Sequence, residues 1–288
     1  MTSLLQQRIA LLKSPRHLFK RIRSKMLEPI VTQEIERAAS RRLDPSNTRL
    51  PDFLIIGAPK CGTSWLRVAL AEHPEVIMAQ EEIEFFPDPI SARLDWYMKH
   101  FSKDSPFLDQ RNAAYRKPYE DCIIGEKSAR YCAMPEGRVK LVHRLMPDAH
   151  LILMIRDPVK RHWAHAKQHF AKKKQAIEDL PRDIVFPFFE RTRSLSEFSK
   201  MHDVWSRIYG PEKLLTLKQE VALAEPLETA KRTLSHLGIA SDYDHDHTKK
   251  LHRQVNVGRS VPMPEDVRVF LEDLFADERQ RLAELNLA

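Results

Sequence analysis

Lys60 stands in a loop built to hold an anion. An apolar run, Phe53 to Ile56, breaks at Gly57, and Ala58-Pro59-Lys60-Cys61-Gly62-Thr63-Ser64 leads into a helical pattern that opens at Trp65. A buried strand running through a glycine-punctuated loop into a helix start points backbone N–H groups, the positive end of the helix dipole and one lysine at a single anionic group. The place of the lysine is diagnostic. In the P-loop of nucleoside-triphosphate proteins it follows the second glycine, as G-x-x-x-x-G-K-[ST]. Here Thr63 follows Gly62, and Lys60 comes two residues before that glycine. The loop reads as a phosphate-type cradle of another kind.

Three further apolar runs end in charged residues. Val76–Met78 leads to Gln80-Glu81-Glu82-Ile83-Glu84-Phe85-Phe86, and Cys122–Ile124 leads to Gly125-Glu126-Lys127-Ser128-Ala129-Arg130-Tyr131. Leu151–Ile155 leads to Arg156-Asp157-Pro158-Val159-Lys160-Arg161-His162-Trp163. Pro158 suits the first turn of a helix, which puts Arg156 on the strand-to-helix loop, where a guanidinium matches a phosphate monoester bidentately. Any one of these charges alone is more often a structural salt bridge. Together they bring arginines, a lysine and carboxylates to the edge where the Lys60 loop lies.

The elements that must position these residues alternate. Strand-like runs fall at 53–56, 76–78, 122–124, 151–155 and 214–217; helical patterns fall at 64–72, 135–145, 159–174, 195–209 and 227–237. This alternation predicts an α/β fold with a P-loop-like central parallel sheet of about five strands, flanked by helices on both faces. Ligands of such sheets bind beyond the carboxyl ends of the strands. Residues 1–50 read as a basic helical extension with a proline-punctuated linker at 40–51, and 51–288 as the main domain.

The motifs in this order resemble those of the sulfotransferases that use 3′-phosphoadenosine 5′-phosphosulfate (PAPS). Pro59-Lys60-Cys61-Gly62-Thr63-Ser64-Trp65-Leu66 looks like their 5′-phosphosulfate loop, and Arg156-Asp157-Pro158-Val159-Lys160-Arg161 like the start of their 3′-phosphate motif. Glu82 with Phe85-Phe86, Trp96-Tyr97, Gly125-Glu126-Lys127-Ser128, and Val257-Gly258-Arg259 followed by Pro262 resemble the carbohydrate branch, that of heparan sulfotransferases and their bacterial relatives. The resemblance runs from about Pro51 to Phe275. It implies in-line sulfuryl transfer to an acceptor hydroxyl, with PAP as leaving group and no metal required. It implies that Lys60, Cys61, Gly62, Thr63, Ser64 and Trp65 form the donor loop, and that Arg156 binds the 3′-phosphate with Gly258 and Arg259 closing over it. Glu82 matches the family's general base, and Lys127 a lysine near the reacting centre that binds sulfonate oxygen or orients Glu82.

The chain departs from the family at three points. Ala164 stands where the 3′-phosphate motif has a serine, and His162, His165 or Arg161 are candidates to compensate. Glu81 replaces the lysine before Glu82, and Glu84 adds a third acid, so either could be the base instead. Two other features carry plainer readings. Asp244-His245-Asp246-His247 reads as a loop rather than a metal site, and Cys61 as a small residue filling the cradle rather than a reactive thiol. Glu220 is taken as structural.

Composition bounds the rest. The chain has 288 residues, a formal charge of +7 and three cysteines, with a pI near 9.3. The charge suits an anionic ligand, nucleic acid or a membrane surface. No stretch approaches the roughly 18–20 apolar residues of a bilayer span, and the cysteines form no disulfide framework. These features point to a cytoplasmic, bacterial enzyme. Residues 1–26 mix apolar and basic residues, either as a helix packed on the domain or as a peripheral contact with the inner membrane surface. The competing functions are a P-loop nucleotide kinase or NTPase and a non-enzymatic basic membrane-peripheral protein. The first lacks a lysine after Gly62 and a convincing magnesium-binding aspartate after a second strand; the second, bound to membrane or nucleic acid, ranks last. No aromatic-rich nucleic-acid motif accompanies the basic residues. The acceptor is a glycan, glycolipid or small alcohol selected by variable loops such as 87–121 and 165–200, which carry no readable code.

Overall fold

The computed structural model describes residues 29–38, 49–87, 92–240, 251 and 261–287. In chain order its elements are α1 (29–38), β1 (Phe53–Gly57), α2 (Thr63–Ala71), β2 (Val76–Met78), α3 (Leu94–Met98), β3 (Ile123–Lys127), α4 (Glu136–Leu145), β4 (His150–Ile155) and α5 (Pro158–Lys172). There follow α6 (Arg182–Thr192), α7 (Phe198–Tyr209), β5 (Leu214–Lys218), α8 (Gln219–Ala224), α9 (Pro226–His236), α10 (Glu265–Leu274) and α11 (Ala276–Glu284). The five strands form one sheet in the order β2-β3-β1-β4-β5, and every pairing is parallel. The strands are apolar without alternation because helices surround the sheet; β1 is buried at every residue.

The strand order decides where a ligand fits. From β1 the chain runs to β2 on one side, returns through β3, then crosses to β4 on the other side of β1. Loops leaving β1 and β4 therefore diverge, and a crevice opens between their carboxyl ends, the usual ligand position of such sheets.

One strand boundary differs from the sequence analysis in a way that matters. β3 starts at Ile123 and runs through Lys127, so Glu126 and Lys127 belong to the strand rather than follow it. The register pairs Phe53 with Gly125, and a side chain at 125 would put its Cβ 2.1 Å from the Phe53 ring. Glycine is what lets β3 pass that ring and carry its polar end to the sheet edge. The stretch 175–194, where the sequence shows no element, contains α6. The helix continues through Pro187 because Val185, Phe188 and Phe189 turn one apolar stripe into a second core. α10 and α11 are likewise helices beyond the last predicted element; Phe270 of α10 stacks on Phe186 of α6 at 4.1 Å.

α1 lies within the stretch read as an extension, yet Val31 and Ile35 are fully buried in the sheet's core. Glu34 also accepts a hydrogen bond from the Leu94 amide at 3.1 Å. Residues 1–26, with their candidate membrane contact, and most of the 40–51 linker lie outside the described residues. Among the described residues no helix is long and apolar enough to cross a membrane.

Candidate active site

The cradle after β1 is shaped by two left-handed residues. Gly62, the N-cap of α2, has φ of 90°, a conformation open to glycine at little cost. Lys60 has φ of 71° without that freedom, so its conformation is held by its surroundings. α2 has no side-chain cap, and the first N–H groups of a helix have no intrahelical acceptor. The N–H groups of Thr63 and Ser64 therefore open the positive end of α2 toward the cradle. Lys60 is half-buried. Its pKa is lowered first by burial, then by the nearby cations Arg156, Arg161, Lys167 and Lys172.

Arg156 follows β4, next to β1, in a turn fixed from two sides. The Asp157 carboxylate caps α5 by accepting from the Lys160 amide at 2.8 Å, and the Asp157 amide donates to Glu220 Oε1 at 3.3 Å. Glu220, just beyond β5, is thus the structural acid of that turn. Arg161 does not reach outward; it is fully buried and donates to the Pro59 carbonyl at 2.9 Å. His162 is also turned inward, between Ser196 Oγ at 2.9 Å and the Phe189 carbonyl at 3.1 Å. Burial, aided by the adjacent Arg161 charge, lowers its pKa to about 3. His165 is lowered to about 4 by burial and by charges that include Arg161, His169 and Lys60.

On the other side of β1, Lys127 ends β3 and forms an ion pair with Glu82, which follows β2. The lysine side chain is 5% exposed and the glutamate 37%, so the carboxylate is the partner open to solvent. Glu82 also accepts from the Ala129 amide at 3.3 Å. Glu84 is committed elsewhere, to Arg130 at 3.0 Å, and Glu81 is exposed. Beneath them lies Glu126, to which the motif itself assigns no role. Glu126 is fully buried and accepts hydroxyl donors from Tyr97, Ser128 and Tyr131, each at 2.6 Å. Burial raises its pKa. The same hydroxyls reach the Glu82 segment: Ser128 Oγ accepts from the Glu84 amide and Tyr131 OH from the Phe85 amide. Phe85 and Phe86 pack on Tyr97 at 4.7 and 5.2 Å. Glu126 is therefore the anchor that fixes the approach of Glu82 to Lys127. The acid after Gly125, on a strand with aromatics on both sides, was the available signal.

Trp65, in the first turn of α2, and Trp163, in the second turn of α5, each bind a residue that brackets 252–260. Their indole N–H groups donate to the carbonyls of Leu251 at 2.7 Å and Val261 at 3.1 Å. Gly258 and Arg259 fall between these anchors and lie outside the described residues, as does Asp244-His245-Asp246-His247. Cys61 is buried, and burial pushes its thiol up to about 12, which fits a residue that fills space.

Across the sheet edge the order is Glu82, Lys127, Lys60, Arg156. A β–loop–helix junction carrying Lys60, with Arg156 on the neighbouring strand end and a lysine-paired carboxylate on the other side, sits on a P-loop-like parallel α/β fold. The chain matches the family model described as Sulfotransferase family over residues 51–244, and it belongs to that family. Human heparan sulfate glucosamine 3-O-sulfotransferase 3A1 is 26% identical over 207 residues, 68% of this chain and 46% of that protein. The chain spans about half, or less, of the length of the curated relatives it matches. A sulfotransferase from Alicyclobacillus acidocaldarius shares the fold with a TM-score of 0.61 at 22% identity, covering 82% of this chain and 96% of that one. A mouse sulfotransferase complexed with PAP does so at 0.51 and 11%, covering 90% and 95%.

Proposed function

We propose that the protein transfers a sulfuryl group from PAPS to a hydroxyl of a carbohydrate or similar acceptor and releases PAP. The observation that carries this reading is the position of β1, with Lys60, between β4, with Arg156, and β3, with Lys127. Three strand spacings separate β2 from β4, roughly 14 Å, a span suited to a nucleotide donor and an acceptor lying end to end along the edge.

In this reading Arg156 holds the 3′-phosphate. Lys60 and the N–H groups of Gly62, Thr63 and Ser64 hold the 5′-phosphosulfate. The acceptor oxygen attacks sulfur in line as Glu82 takes its proton; the new S–O bond forms while the bond from sulfur to the phosphate oxygen breaks, and PAP leaves with that electron pair. Lys60 stabilises the charge that grows on the leaving oxygen. Lys127 orients Glu82 through their ion pair and lies near the sulfonate oxygens. Glu84, held by Arg130, takes no part. Support for the donor comes from family membership and from the PAP named in the mouse relative. Support for a carbohydrate acceptor comes from the heparan sulfate named in the human one.

The test is thermal unfolding with nucleotides, since a ligand stabilises by RT ln(1 + [L]/Kd). PAP is expected to raise Tm without magnesium. Stabilisation by ATP that needs magnesium, with none from PAP, would overturn the reading in favour of a nucleotide kinase. Labelled PAPS offered with neutral glycans, glycolipids and heparan fragments then identifies the acceptor.

A further inference from the structure

Arg161 is where charge, burial and hydrogen bonding fail to balance. Its side chain is fully buried. Nε donates to the Pro59 carbonyl at 2.9 Å, and one terminal nitrogen donates to Ser196 Oγ at 3.2 Å. The other terminal nitrogen is buried with no hydrogen-bond partner among the described residues. No carboxylate pairs with it among the described residues; the thiols beside it, Cys61 and Cys132, are themselves pushed up to about 12 by burial and so supply no countercharge. Ser196 is itself fixed by His162, whose far ring nitrogen meets the Phe189 carbonyl and Thr192 Oγ1, both at 3.1 Å. A guanidinium taken out of water with no anion opposes folding, and this one is bonded to the residue next to Lys60.

We infer that Arg161 is a positioning residue for the donor: it grips the Pro59 carbonyl, holds the Pro59–Lys60 peptide with Lys60 left-handed, and has the bound phosphosulfate as its countercharge. The inference rests on the donor reading above. It explains how a non-glycine keeps a positive φ in the cradle, since the peptide before it is tied to the core through Arg161, Ser196 and His162. It also explains why an arginine with no acid partner is buried at that spot. The unfavourable charge is offset when an anion enters, so the site is preorganised at the expense of the empty protein.

The experiment is calorimetric titration of PAP into wild type, Arg161→Met and Arg161→Lys, with the Tm of each ligand-free protein. Arg161→Met is expected to weaken PAP binding at least about tenfold, equivalent to about 1.4 kcal/mol. Its ligand-free Tm should stay within about 4 °C of wild type, because the variant also removes an unpaired buried charge. Arg161→Lys keeps the charge but cannot reach Pro59 and Ser196 together, and should lose a comparable factor. Binding within threefold of wild type in both variants overturns the inference, as does a fall in Tm with unchanged affinity of the folded protein. A double-mutant cycle checks the route. If Arg161 acts through Lys60, Arg161→Lys costs little further affinity in a Lys60→Met background, whereas an equal loss in both backgrounds overturns it. Wild-type protein that binds no PAP removes the donor reading itself, and this inference with it.

Discussion

The two halves of the candidate site handle charge in opposite ways. On the β2–β3 side every acid but the exposed Glu81 has its partner within the protein: Glu82 with Lys127, Glu84 with Arg130, and Glu126 with three hydroxyls. On the β1–β4 side the cations Lys60, Arg156, Arg161, Lys167 and Lys172 are near enough that the other four hold down the pKa of Lys60. The acids there, Asp157 and Glu220, are occupied in fixing the turn. One half is largely paired within the protein; in the other, cations crowd around Lys60, and in the proposed reading the anionic donor balances them. The contrast suits a reaction in which a polyanionic donor is captured first and a hydroxyl, which brings no charge, is activated beside it.

Removing the central cation should break the comparison most severely. Lys60→Ala is expected to lower kcat/KM for sulfate transfer by about 10³-fold, since charge on the leaving oxygen loses its main stabiliser; near-normal steady-state rates would take the loop out of the mechanism. On the balanced side, Glu82→Gln should lower kcat about 10²-fold with PAP affinity retained, while Glu84→Gln stays near wild type. The reverse pattern would make Glu84 the base. The smallest effect sharpens the donor half. Ala164→Ser supplies the hydroxyl missing from the 3′-phosphate motif and should tighten PAP binding about threefold to tenfold, the net worth of one ordinary hydrogen bond. Calorimetry that finds no gain would mean the phosphate lies away from that face of α5.

Much of the donor half is legible in the chain because its signals are local. The Phe53–Ile56 run, Gly57, Gly62 and the helix opening at Trp65 are contiguous, and so are the end of β4, Arg156, Asp157 and Pro158. Strand–turn–helix chemistry of this kind is written within about a dozen residues. The acceptor half reads less well, because the lysine that pairs with Glu82, and not with Glu81 or Glu84, lies 45 residues away on β3. The role of Arg161 is hidden for the same reason. Its partners, Pro59 and Ser196, are far along the chain in opposite directions, and an arginine in a basic stretch gives no sign of pointing inward. α6 was obscured by Pro187, whose disruptive tendency is overridden by the apolar stripe it interrupts.

By itself the sequence determined the α/β class, the parallel sheet and the strand–loop–helix junction that carries Lys60, because short-range propensity and hydrophobic pattern encode them. The tertiary structure alone decided that β1 lies between β3 and β4, so that Lys60 is flanked by Arg156 on one side and Lys127 with Glu82 on the other. It alone decided that Arg161 is buried beneath the cradle and that Glu126 anchors the Glu82 segment. Strand order and side-chain partnership depend on which surfaces bury one another across long separations, and no local run of residues carries that information.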